Sequence, residues 1–355
     1  MASSKNDRPA LARVPAAVVD LAAKRKLNRR VFGESQITVP CVPDMIDHYV
    51  ELFQKMFEAY GKPFTRDELN ELRRLILDHL EKGFQASPFA TMTMKMHTEP
   101  PPSPGISYLL TRFVPTMEDQ YEGWVRDREP PLFGEHADRK LLHLAAGFGL
   151  PATVAVLDVG AGTGRNTLPL ARSGYRVDAV EPVAAMGDQI AAALKAENLP
   201  GKVFIGDAMS PTLGLPKNHY NLIVLAEVIA SHSRGVDDMQ AMIAALVPAL
   251  APGGLLLFNA FFAQGDYAPT KAIRQFSETV WSCAFTYADL AHALKGLPLT
   301  RVSDESVYEY ERKHLSQEQW PPTGWFPDWS RGLDIVDLPP ERSPITLRWI
   351  TLKKS

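Results

Sequence analysis

Residues 154–165 read V-A-V-L-D-V-G-A-G-T-G-R, and this stretch constrains the fold more than any other. Val154, Val156, Leu157 and Val159 form a short apolar run, which predicts a strand buried on both faces. The run ends in an acid, Asp158, and then in Gly160, Gly162 and Gly164. From Asn166 to Ser173 the chain reads as the first turns of a helix, with Leu168, Leu170 and Ala171 facing inward. Strand, glycine-rich turn and helix together suit ligand binding: glycine lets backbone approach a ligand closely, and a helix start offers unpaired N–H groups. A dinucleotide-binding turn is the competing reading. It wants G-x-G-x-x-G, with the third glycine packing helix on strand. Arg165 stands at that place here and the third glycine falls one residue earlier, so a long charged side chain would have to fill a close-packing position.

The chain downstream repeats a rhythm. Arg176 to Val180 is a second short apolar strand, ending in Glu181-Pro182; the alanine-rich helix Val183 to Glu197 follows. Val203 to Ile205 is a third strand, before Gly206-Asp207-Ala208, and Tyr220 to Ala226 a fourth, before Glu227. A helix from Asp237 to Leu250 and the turn Ala251-Pro252-Gly253-Gly254 lead to a fifth strand, Leu255 to Asn259. Short buried strands alternating with helices predict a parallel sheet covered on both faces. In such a sheet the ligand crevice lies beyond the C-terminal strand ends. The glycine turn, Glu181, Asp207 and Glu227 all fall there. The tail changes pattern: Tyr287 to Lys295 reads as a helix, whereas Leu299 to Glu311 and Ile345 to Leu352 alternate apolar and polar residues. Lacking a helical crossover, these two predict an antiparallel pair.

These motifs together resemble class I S-adenosylmethionine-dependent methyltransferases, from about Leu141 to Leu352. The pattern hydrophobic-hydrophobic-D-hydrophobic-G-x-G-x-G is similar to their first motif, and Leu250-Ala251-Pro252-Gly253-Gly254 to their L-x-P-G-G turn. The resemblance implies an α/β fold, a seven-stranded Rossmann-like sheet of order 3-2-1-4-5-7-6 with the last strand antiparallel. It implies S-adenosylmethionine as cofactor and S-adenosylhomocysteine as product, held around Asp158, Gly160, Ala161, Gly162, Glu181, Pro182, Asp207, Ala208 and Glu227. Glu181 matches the ribose-binding acid and Asp207 the adenine side. Asp158 either caps the following helix or holds the cofactor's ammonium, and Glu227 either caps a helix or faces the acceptor. The nearest type is that acting on small molecules; the first hundred residues match no family.

The region before residue 131 is expected to be mostly helical and to cover the acceptor, with the methyltransferase domain over 131–355. Pro15 to Arg30 reads as a helix whose Lys24-Arg25-Lys26 and Arg29-Arg30 suit its C-terminal dipole end, and Met1 to Pro9 as a polar, frayed start. Asp44 to Tyr60 carries an apolar stripe at helical spacing. Thr65-Arg66-Asp67-Glu68 reads as a capping box opening a helix that Gly83 is placed to end. Met92, Met94 and Met96 alternate as on a packed strand face, and Pro100 to Pro104 mark a linker or rigid turn. A helix from about Gly134 to Phe148 leads into the first strand. An aromatic insertion spans about 316–344, with Trp320, Trp325, Phe326 and Trp329; a long segment of this kind is expected to pack on something and shape the acceptor pocket.

For the acceptor side, Tyr108, Arg112, Tyr121 and Trp124 are candidates to cover cofactor or substrate, against ordinary core packing. His232, just past the fourth strand, is the candidate general base, against a surface histidine at a loop start; its ordinary pKa lies near neutrality. His97 and His314 are read as structural. The net charge of −3 gives no global field for nucleic acid. The two cysteines, Cys41 and Cys283, suggest neither a disulfide framework nor a metal cluster. No apolar run is long enough for a bilayer, and a reduced cytosolic setting is the simplest expectation. The reading is a methyltransferase that modifies N or O of a small molecule by direct displacement. A protein or peptide acceptor, a non-catalytic cofactor-binding module and, more distantly, an NAD-linked oxidoreductase are the alternatives.

Overall fold

The computed structural model describes residues 14–28, 30–99, 105–127 and 131–355. The expectations for Met1 to Pro9, for Arg29 and for the prolines at 100–104 lie outside the described residues. The chain divides into two compact units, Met1–Val114 and Pro115–Ser355.

In the first unit, α1 (Ala16–Asn28) buries no side chain and ends in Arg25 and Lys26. β1 (Glu34–Pro40), α2 (Ile46–Ala59), α3 (Arg66–Ala86), β2 (Thr91–Thr98) and β3 (Ile106–Phe113) follow. The three strands form an antiparallel sheet in the order β1-β2-β3. Its core joins Phe53 and Phe57 of α2 and Leu72, Ile76 and Leu80 of α3 to Met92, Met94 and Met96 of β2. The alternating methionines are therefore a buried strand face. Both ends of the Thr65–Glu68 capping box are made: the Thr65 hydroxyl accepts from Glu68 N–H, and the Glu68 carboxylate accepts from Thr65 N–H. Gly83 does not end α3. It lies buried inside the helix, where an added Cβ would come within 2.5 Å of Cys41 Sγ. The glycine serves close approach of helix and strand, and the helix runs on to Ala86. The sheet is the larger departure from expectation: the helices are present, but β1 and β3 were not foreseen.

The second unit opens with α4 (Met117–Asp127), then α5 (Arg139–Ala146), β4 (Ala155–Val159), α6 (Thr167–Arg172), β5 (Arg176–Glu181), α7 (Ala184–Ala196) and β6 (Val203–Ile205). There follow β7 (Tyr220–Leu225), α8 (Val228–His232), α9 (Val236–Leu246), the long β8 (Leu250–Ala263), α10 (Lys271–Thr279) and β9 (Ala284–Phe285). The chain closes with α11 (Tyr287–Ala293), β10 (Leu299–Ser306), α12 (Val307–His314), α13 (Phe326–Trp329) and β11 (Ile345–Lys354). The sheet order is β6-β5-β4-β7-β8-β11-β10, with β9 paired to the far end of β8. Numbered by their place in the sheet motif, these strands read 3-2-1-4-5-7-6. β11 runs antiparallel to both neighbours, as expected.

Successive residues of each central strand enter opposite cores. Val156 and Val224 join Leu170, Ile190 and Trp349 on one face; Leu157 and Ile223 join Met239, Ile243 and Phe258 on the other. Both faces are covered, which is why β4 and β7 are apolar along most of their length, Asp158 and Asn221 excepted. Two expected elements shrink. The helix before β4 starts at Arg139, because the carboxylate of buried Glu311 accepts from the N–H groups of Arg139 and Lys140 and fixes the start there. The expected strand Leu299 to Glu311 stops at Ser306, whose hydroxyl caps α12 by accepting from Glu309 N–H. No described helix is long and apolar enough to cross a membrane.

Candidate active site

The C-terminal ends of β4, β5 and β7 open into a crevice of about 750 Å³ whose lining residues all belong to the second unit. Small-molecule sites commonly enclose about 300–1,000 Å³. Its floor is the turn after β4. Gly160 and Gly162 hold φ of +69° and +57°, the left-handed region where a side chain is strained. A Cβ on Gly160 would meet Val228 at 2.5 Å, and one on Gly162 would meet the Phe133 ring at 3.3 Å. The turn is bare because the chain passes close on both sides.

Glu181, at the end of β5, is 4% exposed and lines the crevice. One carboxylate oxygen accepts from Gly162 N–H at 2.7 Å and the other from Val183 N–H at 2.9 Å. Burial raises its pKa against the pull of these two N–H donors. The carboxylate is thus fixed against the glycine turn, with acceptor capacity left over, since an ionised carboxylate offers about four lone-pair directions. Asp158 is 2% exposed at the end of β4. It accepts from the Thr167 hydroxyl at 2.7 Å, and burial pushes it up to about 6. The bond ties it to the first residue of α6, and Asp158 also lines the crevice.

Arg165 occupies the centre of the wall. Its guanidinium donates to Asp138 at 2.7 Å and to Glu227 at 2.8 Å, with its side chain 9% exposed. Burial opposes its charge, but the two carboxylates outweigh that and hold it protonated. Asp138 is itself fixed by Asn166, which donates to its carboxylate at 2.9 Å and accepts from its N–H at 3.0 Å. Glu227 caps no helix with its side chain. Its backbone is left-handed, φ +64°, and its N–H donates to Asn259 at 2.7 Å. Burial raises its pKa while Arg165 pulls it down.

Aromatic rings form the opposite wall. Tyr121 and Trp124 of α4 meet at 5.2 Å between centroids, Trp124 and Trp281 at 4.7 Å, and Trp124 and Phe133 at 6.3 Å. Trp281 also has left-handed backbone, φ +57°. Its carbonyl accepts from the Ser231 hydroxyl and from the Trp329 indole N–H, both at 3.3 Å. Strained backbone held by surrounding contacts is characteristic of functional sites, and two such residues line this crevice. Glu318, Gln319 and the stretch 321–325, with Trp325, also line the crevice, as does Trp329, whereas Trp320 and Phe326 do not.

His232 is not among the lining residues. It reaches the crevice through Tyr121, whose hydroxyl lies 3.0 Å from His232 Nε2. Burial pushes the imidazole down to about 4, so it is neutral at pH 7. Asp207 follows Gly206, whose N–H donates to the Glu181 carbonyl at 3.1 Å, so Glu181 and Asp207 share one sheet edge. Asp207 itself is exposed, accepting from Met209 N–H at 2.9 Å, and neither it nor Ala208 lines the crevice. Ala161 and Pro182 do. Tyr108 and Arg112 belong to the first unit: Tyr108 stands edge-on to Phe57 at 5.6 Å, and Arg112 donates to the Asp78 carbonyl at 3.4 Å.

The sequence reading missed Arg165, Asp138, Phe133 and Trp281 as site residues. Arg165 had a signal, since a long cation directly after the glycine turn needs acidic partners; Trp281 had none in its neighbourhood. Among the described residues no group of three or more His, Cys, Asp or Glu is placed to hold a metal ion.

Residues 156–254 match the family model for a methyltransferase domain. No curated protein matches the chain. Among solved structures, similarity extends to a putative sarcosine dimethylglycine methyltransferase from Galdieria sulphuraria, at 16% identity and TM-score 0.48, covering 68% of this chain and 99% of that one. It extends also to geranyl diphosphate C-methyltransferase from Streptomyces coelicolor A3(2), at 13% identity and TM-score 0.46, covering 61% and 78%. A third is the O-methyltransferase of a polyketide multienzyme from Brevibacillus brevis, at 16% identity and TM-score 0.46, covering 62% and 72%.

Proposed function

We propose, from the methyltransferase-domain match over residues 156–254 and the geometry of the crevice, that the second unit is a class I S-adenosylmethionine-dependent methyltransferase domain and that the protein methylates an N or O atom of a small molecule by direct displacement. The observation that carries this reading is the aromatic wall facing the cofactor-binding strand ends across one crevice.

The donor set fits the cofactor. Glu181 is immobilised where it can accept the two ribose hydroxyls, and the crevice of about 750 Å³ beside the glycine turn has room for the ligand's body. Asp158 is the acid available to the methionine ammonium and Arg165 the cation available to its carboxylate. When bound, S-adenosylmethionine supplies a methyl group on a sulfonium centre. Asp207 stands at the same edge for the adenine amine, beyond the crevice lining.

What the chain contributes is alignment. Glu227, held by Arg165 and Asn259, and Trp281 with the rings packed on it fix the acceptor's approach, and such positioning is worth roughly 7–11 kcal/mol in favourable cases. A neutral amine acceptor needs no further base once deprotonated. His232, neutral and bonded to Tyr121, acts through that hydroxyl rather than on the acceptor directly.

The test is transfer of label from methyl-labelled S-adenosylmethionine in cell extract supplemented with the full chain. Label recovered in a small molecule supports the reading. Label confined to protein or peptide overturns the choice of acceptor, and no incorporation at all overturns transfer itself.

A further inference from the structure

We propose that Tyr121 presents its O–H to the crevice as a hydrogen-bond donor, set in that role by His232 in its neutral Nε2–H form, and that the acceptor molecule places an uncharged or anionic oxygen against it. The inference rests on the methyltransferase reading of the crevice and narrows its substrate class.

The argument starts from a proton count. His232 Nε2 lies 3.0 Å from the Tyr121 hydroxyl, and His232 Nδ1 is buried without a hydrogen-bond partner. A neutral imidazole carries one N–H and one bare nitrogen. If the proton were on Nδ1, a buried donor would be left unmade, which is the costlier of the two omissions. With the proton on Nε2, that N–H donates to the Tyr121 oxygen, and the phenol's own proton must point elsewhere. Burial holds the imidazole neutral, and burial together with Glu181 and Glu227 keeps Tyr121 a phenol. Since Tyr121 lines the crevice, its free O–H is directed at whatever occupies it.

A donor in that place selects its partner. An ammonium has no lone pair to receive it, whereas a phenolic, enolic or carbonyl oxygen does. The rings agree. Trp124 lies against Trp281 at 4.7 Å and meets Tyr121 edge-on at 5.2 Å. Their planes are inclined, 79° between Tyr121 and Trp124 and 49° between Trp124 and Trp281, so they enclose an apolar corner around the Tyr121 hydroxyl and leave that O–H as its polar group. Tyr121 would be the residue touching the acceptor; His232 is a positioning residue.

Two measurements on the full chain test this. Nitrogen NMR of histidine-labelled protein reads the tautomer: a neutral His232 with its proton on Nε2 between pH 5 and 8 is expected, and a proton on Nδ1 overturns the proposal. Calorimetry with S-adenosylhomocysteine present then compares p-cresol, toluene and benzylammonium as probes. The wild type should bind p-cresol about fivefold or more tightly than either, the size of one net hydrogen bond. Tyr121→Phe should erase the preference. His232→Gln, which keeps a donor, should retain it, and His232→Leu should lose it. Equal binding of p-cresol and toluene by the wild type, or tighter binding of benzylammonium, overturns the proposal. Failure of S-adenosylhomocysteine itself to bind is a different result: it removes the methyltransferase reading rather than this one.

Discussion

Replacing Arg165 with methionine removes a buried cation from between two carboxylates that cannot turn away. Asp138 is held on both sides by Asn166, and the Glu227 backbone is pinned by Asn259. Breaking a buried ion pair from one side typically costs about 3–5 kcal/mol, because the remaining charge stays buried without compensation. Asp138 keeps 6% of its side chain exposed and Glu227 keeps 22%, so water relieves part of the second charge. The lower end, about 3 kcal/mol, is therefore expected. For a unit as long as 115–355 this lowers the melting temperature by roughly 6–12 °C. The sign of the pH dependence is also fixed. Burial already raises the Glu227 pKa against the pull of Arg165, and without that pull it rises further, so its protonation favours the folded state. The deficit of the variant should shrink as pH falls from 7 towards 5. Arg165→Lys should recover part of the loss, since a single ammonium cannot reach both acids as a planar fork does. Urea unfolding at pH 7 and pH 5 is the assay. A loss below about 1 kcal/mol at pH 7, or a deficit that grows with acid, would refute the reasoning.

Three further outcomes follow from the same geometry. Gly162→Ala should weaken S-adenosylhomocysteine binding at least tenfold in calorimetry, because left-handed backbone and the Phe133 ring at 3.3 Å both oppose the new methyl; unchanged affinity would mean that the turn is not a ligand floor. His232, whose folded pKa is about 4 against an unfolded value near 6.5, should cost the wild type about 2–3 kcal/mol of stability as pH falls from 6.5 to 4. His232→Gln should flatten that part of the stability–pH curve, and an unaltered slope would contradict the burial argument. Gly83→Ala should destabilise the first unit by about 1–3 kcal/mol, despite alanine's better helix propensity, because its methyl would overlap Cys41 Sγ; a stabilised variant would show that helix and strand can move apart freely.

The sheet was readable because both its faces are buried. That condition writes itself into the sequence as mostly apolar stretches at 154–159 and 220–226 and a shorter, interrupted one at 176–180, each closed by a glycine or an acid. Glu181 and the glycine turn were readable for the same reason: a polar or bare residue directly after a buried strand marks the strand's end. The first unit was harder. β3 is mostly exposed and carries no alternation, so nothing in the sequence marked Tyr108 and Arg112 as strand residues. Gly83 read as a helix stop because a glycine chosen for close packing and one chosen to end a helix look alike in sequence. Arg165 was seen only as an obstacle to dinucleotide binding, since its partners lie 27 and 62 positions away. Trp281 joins Trp124 across most of the second unit, a pairing that no local pattern encodes.

The central claim is that the glycine turn and Glu181 grip one adenosine-bearing ligand, and titration of S-adenosylhomocysteine into wild-type protein and Glu181→Gln addresses it most directly. Hydrogen bonds to a charged acceptor contribute about 1.5–3 kcal/mol each, so neutralising this carboxylate should weaken binding by at least tenfold; the amide can accept from only one of the Gly162 and Val183 N–H groups, so the ligand-free melting temperature should also fall, and the titrations are compared below it. Equal affinities in the two proteins, or no detectable heat with either, would contradict the account.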